Sequence, residues 1–170
     1  MFGLDSGCLN YEQLWVTNSL RGLLNVSMNV KIIKEGVHSG DASGIVPDTF
    51  RIIRQLLDRI EDPKTGEFHK DLQVNVPSDS YKQAEDIAKS TSKELFERYP
   101  FIDGTTPTDT DGFKAYINRA WKPQMTVTGI DGLPPCEKAG NVLRPETTIK
   151  MSIRIPPTLD AKKACERLKQ

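Results

Sequence analysis

The sequence predicts an α+β domain of the ferredoxin-like kind: a two-layer sandwich with an antiparallel sheet backed by two helices. Three observations carry this. Residues 23–34 and 147–155 alternate apolar and polar side chains with period two, which marks strands with one buried and one open face. Two other stretches, PDTFRIIRQLLDRIEDP and TLDAKKACERLKQ, repeat apolar residues at helical spacing. Their order, with a further strand between, is that of a split βαβ unit whose last strand is missing.

Residues 1–22 mix Gly, Ser, Asn and aromatics without a period. In the first strand Leu24, Val26, Met28, Val30 and Ile32 point one way, and Asn25, Ser27, Asn29 and Lys31 the other. A glycine-rich turn, EGVHSGDASG, holds His38. The helix after it has Phe50, Ile53, Leu57 and Ile60 as its inward stripe, flanked by Ile52 and Leu56. Pro47 opens it and Pro63 stops it, because proline fixes φ and lacks an N–H.

Residues from about 64 to 118 read as a helical insertion. It holds a turn at DPKTGEF and a helix capped by Ser78 or Asp79. In that helix Ala84, Ile87, Ala88 and Leu95 face inward, and Pro100 ends it. The loop TTPTDTDG and a short helix in DGFKAYINRAW follow. Strand structure returns at 124–130, with Met125 and Val127 on one face. In the last strand Ile149, Met151, Ile153 and Ile155 oppose Thr148, Lys150, Ser152 and Arg154. Pro156 and Pro157 break it, and Thr158 caps a helix with Ala161, Ala164, Cys165 and Leu168 inward.

A chain of 170 residues suits one domain with an insertion. Its 23 basic residues cancel its 23 acidic ones, so no net field draws it to nucleic acid or an anionic membrane. The polar strand faces also lack the aromatics that RNA-binding sheets use. No apolar run reaches the length of a membrane span, and MFGLDSG is not a signal peptide. Cys8, Cys136 and Cys165 are odd in number and fit no zinc-ribbon or CxxC spacing. Free thiols in a reducing, cytoplasmic setting are expected.

Few residues stand out for chemistry. His38 can be a solvated loop residue, or a proton carrier or oxyanion donor. Arg154, on a polar strand face, can be a solvated cation or a fork for a carboxylate. Asn141 can be a turn residue or a polar clamp with a donor and an acceptor. Asp5 in LDSG is most simply a turn former, and His69 in FHKD a surface residue. There is no HxxxH, P-loop, GxGxxG or GxSxG motif, so neither a metal site nor a nucleophile complete within the chain is expected.

Taken together, these residues resemble a known family. Leu20-Arg21-Gly22, a strand, GVHSGDASG and a helix are similar to the lid, or dimerisation, domain of carnosinase-like zinc dipeptidases, a superfamily that includes aminoacylase and carboxypeptidase G. RAWKPQMTVTGIDG and GNVLRPETTIKMSIRIPP resemble that domain's later strands, with Arg154 placed 13 residues after Asn141. The likeness spans residues 5–170, the central insertion matching only in kind. It implies that His38 stabilises the oxyanion across a homodimer, that Asn141 and Arg154 bind the substrate carboxylate, and that Asp5 is a metal ligand. It further implies hydrolysis of a dipeptide or N-acyl amino acid by water on two zinc or manganese ions, held mainly outside this chain. Residues 1–22 would then be the end of a catalytic domain and its linker, and 23–170 the lid. The chain would be an inactive fragment of a longer metallopeptidase. Two other readings stay open: a stand-alone ferredoxin-like binding module, and the dimerisation domain of a pseudoenzyme.

Overall fold

The structure, a computed structural model, describes residues 7–170. In chain order its elements are β1 (Gly22–Lys31), β2 (Val37–His38), α1 (Ser39–Ala42), α2 (Thr49–Leu57), α3 (Ser78–Glu97), α4 (Gly112–Trp121), β3 (Gln124–Asp131), β4 (Val142–Leu143), β5 (Glu146–Ile155) and α5 (Ala161–Leu168).

β5 is the central strand. It pairs antiparallel with β1, Leu24 opposite Ile153 and Met28 opposite Ile149, and with β3, Met125 opposite Ile153. The sheet order is β1-β5-β3. Alternation dictates this arrangement: Ile149, Met151, Ile153 and Ile155 are all but inaccessible, while Lys150 and Arg154 between them are exposed. The buried face packs against Ile53, Ile52, Leu56 and Leu57 of α2 and Ala164 and Leu168 of α5. Each fully buried aliphatic side chain contributes about 1.5–3 kcal/mol. The α+β sandwich expected from the sequence is the fold found.

Several local expectations are corrected. Pro63 does not stop α2. That helix ends at Leu57 and tightens through Arg59 N–H to Leu56 O and Ile60 N–H to Leu57 O. Pro63 instead lies in the following turn, between the bridged residues Glu61 and Phe68. Phe50 is 42% exposed, because the buried stripe runs from Thr49 to Ile53 and Phe50 sits beside it. Val127 is 47% exposed although it pairs with buried Met151. β3 is an edge strand, and a bulge between Val127 and Gly129 disturbs its register. His69 is more than a surface residue: Arg167 Nη2 lies 3.1 Å from its Nε2, and Arg167 Nε lies 2.9 Å from Asp71 Oδ2. This joins the start of the insertion to α5.

α3 and α4 form a hairpin with a small core of its own, Ala84, Ile117 and Trp121. Pro77 takes the N-cap position of α3 and no side chain caps it, contrary to the expectation for Ser78 or Asp79. The helix kinks at Thr91, whose φ is −144°. Ser90, Thr91 and Ser92 each turn a hydroxyl back on a carbonyl of the preceding turn, and such back-bonding bends helices. Gly112 meets the kink so closely that an added Cβ would collide with Ser92 Oγ.

Candidate functional site

His38 sits on β2, paired with Val142 of β4. This two-residue ribbon carries no period a sequence could reveal, and neither it nor α1 was expected. Ser39 N–H donates to Asn141 O at 2.9 Å, so backbone pairing places Asn141 one residue from the position opposite His38. Both are exposed. The ribbon is anchored from below. Thr49 Oγ1 at the start of α2 and Thr147 Oγ1 near the start of β5 are 2.8 Å apart and buried, and Ile32 N–H donates to Pro145 O at 2.9 Å.

The imidazole is oriented by the backbone. Gly40 N–H donates to His38 Nδ1 at 3.2 Å. Nδ1 is therefore the acceptor, and in the neutral ring the proton sits on Nε2, which is left as a donor. A Cβ on Gly40 would lie 2.8 Å from His38 Cε1, so a glycine is needed for the ring to lie against its own turn. On the neighbouring open sheet face, Asn29 Nδ2 donates to Glu146 Oε1 and Thr148 Oγ1, both at 2.7 Å. Lys31 Nζ is 3.4 Å from Glu146 Oε2. The Asn29 hydrogen bond, with Lys31, holds the Glu146 carboxyl below its ordinary range.

Arg154 is at the opposite end of β5. It pairs with Leu23 and Gln124 on the open face of the sheet. With a strand rise of 3.3 Å per residue, it lies about 26 Å from Glu146, where the His38 end begins. The structure thus brings two of the expected site residues together and keeps the third apart. Around Arg154 stand three arginines not singled out from the sequence: Arg21 before β1, Arg98 at the end of α3 and Arg119 on α4. They are scattered along the chain, and no local spacing could have joined them. Asp5 lies outside the described residues.

An antiparallel three-stranded sheet with two helices on one face, carrying a histidine ribbon at one end and an arginine at the other, defines an α+β domain built to present side chains outward. The chain belongs to the peptidase dimerisation domain family of the M20 peptidases, whose family model matches residues 18–170. The resemblance read from its motifs is the family it matches. Its fold is shared with a dipeptidase, Dug1p, from Saccharomyces cerevisiae, at 18% identity over 88% of this chain and a TM-score of 0.68. It is also shared with an M20 family metallo-carboxypeptidase from Sulfolobus solfataricus, at 15% identity over 89% of this chain and a TM-score of 0.64. Human carnosine dipeptidase 1 aligns at 14% identity over 93%, with a TM-score of 0.65. The chain spans 31%, 39% and 34% of those three proteins. No curated protein sequence matches it significantly.

Among the described residues, no group of three or more His, Cys, Asp or Glu is arranged to hold a metal ion. The described residues do not by themselves hold the two metals that the resemblance implies. No described helix is long and apolar enough to cross a membrane.

Proposed function

We propose that this domain is the lid of a cytoplasmic, metal-dependent dipeptidase or carboxypeptidase that works as a homodimer, on dipeptides or N-acyl amino acids. The observation that supports this is the distance between the two ends of β5. A dipeptide spans about 7 Å, and the ends are about 26 Å apart. One copy cannot offer His38 and Arg154 to the same substrate, whereas two copies can, each lending His38 and Asn141 to a site that holds its partner's Arg154.

In this reading Arg154 grips the substrate's terminal carboxylate with its planar fork. Asn141 offers a donor and an acceptor beside the reacting bond. His38 donates from Nε2 to the oxygen that gains negative charge, a hydrogen bond strongest at the transition state. Zinc or manganese, where bound by the catalytic domain, would supply the activated water. Residues 1–22 would form the approach to that domain, with Asp5 as one of its metal ligands, and 23–170 the lid with its insertion at about 64–118.

Mixing two inactive variants of the full-length enzyme, His38→Ala and Arg154→Ala, tests the sharing. Random re-pairing rebuilds one intact site in each mixed dimer and returns about a quarter of the wild-type activity. A mixture as inactive as its components would mean that each site draws both residues from one chain, and the proposal would fall.

A further inference from the structure

The Arg154 end of β5 opens into a cavity of about 410 Å³ between residues 7–21 and the α3–α4 hairpin. Arg21, Arg98, Arg119 and Arg154 all line it. Among the described residues no aspartate or glutamate lines it, and none of the four arginines is in an ion pair. The partners they do have are neutral. Arg21 donates to Lys122 O at 3.4 Å, and the Arg98 guanidinium lies 5.5 Å from the centre of the Tyr99 ring. Asp109 lines an adjoining cavity with Arg21 and Arg119, where its carboxylate accepts from Asp111 N–H at 2.9 Å. Arg21 is half-buried. Burial first, then the charges of Arg154 and Arg119, push its pKa down.

Like charges gathered in one partly enclosed place repel, and an anion is what relieves them. One guanidinium fork saturates one carboxylate. Four leave capacity for a second acidic group. Trp15 and Tyr116 complete the wall, and their rings suit the carbon skeleton that joins two such groups.

We propose that this cavity selects acidic substrates, peptidyl or N-acyl aspartate or glutamate, with Arg154 on the main-chain carboxylate and Arg21, Arg98 and Arg119 on the side-chain one. The inference rests on the reading of Arg154 as the carboxylate fork and adds the substrate class to it.

Titration calorimetry of the 170-residue chain at low ionic strength, with N-acetylglutamate and the isosteric N-acetylglutamine, tests it. A second charge-assisted contact should make N-acetylglutamate bind about tenfold tighter. Arg119→Gln, or Arg98→Gln should that variant not fold, removes the preference and leaves N-acetylglutamine binding unchanged. Both residues are exposed, and a thermal melt checks folding. Equal affinity for the two ligands, lost for both in Arg154→Gln, overturns the acidic-substrate inference while leaving the carboxylate fork standing. Unchanged affinity for both ligands in Arg154→Gln overturns the fork and this inference with it. Binding of neither ligand, or inorganic phosphate binding as tightly as N-acetylglutamate, also overturns it.

Discussion

The two ends of β5 position their side chains by different means. At the His38 end the backbone does the work. A two-residue ribbon sets the backbone of His38, and the Gly40 N–H on Nδ1 leaves the neutral imidazole its donor at Nε2. At the Arg154 end long flexible cations converge from β5, the chain before β1 and the α3–α4 hairpin, with few hydrogen bonds among them. In the proposed function the first end would meet a transition state, where tenths of an ångström matter. The second would hold a charged ground state, with several cations supplying field and one fork setting the angle.

Substitutions should separate the two. The largest effect is expected from His38→Ala in the full-length enzyme, a fall in kcat of about 10²–10³ with KM little changed. Steady-state kinetics with an unaltered kcat would erase the contrast. Next is Thr147→Val, which strands the Thr49 hydroxyl in the core and should cost about 1–3 kcal/mol in urea unfolding. The double variant with Thr49→Val should recover much of that loss, since both groups are then apolar. Arg154→Lys should be milder: KM up by about tenfold with kcat nearly constant, because a point charge replaces a fork.

The smallest effect belongs to Glu61, on the turn that leaves α2. Burial raises its pKa. The folded state therefore holds that proton more tightly than the unfolded chain, and the ionised group lowers stability as pH rises through the carboxylate range. Glu61→Gln should raise the Tm slightly at pH 7, and the gain should vanish in acid below the ordinary glutamate value. A melting series from neutral to acidic pH checks this.

Legibility followed the same division. The sheet core could be read because Ile149, Met151, Ile153 and Ile155 alternate with polar residues on a strand buried on one face only. Period two then states both the element and its orientation. The stripe of α2 was legible from Ile53 onward and failed at Phe50 and at Pro63, where the chain had already turned. Two-residue strands have no period, so β2 and β4 were invisible, and with them the adjacency of His38 and Asn141 by backbone pairing. The likeness to relatives groups Asn141 with Arg154 rather than with His38. The gathering of Arg21, Arg98 and Arg119 about Arg154 was not legible, because what unites them is absence of a nearby acid among the described residues in space, which one dimension does not encode.

The bulge in β3 has a consequence of its own. An edge strand that exposes Val127 and Ile130 offers a sticky rim to any stray extended polypeptide. The extra residue between Val127 and Gly129 interrupts the even spacing of free amides and carbonyls, so a straight foreign strand finds its bonds out of step after a few residues. The protein can therefore keep greasy side chains on an open margin and still resist zipping into fibrils.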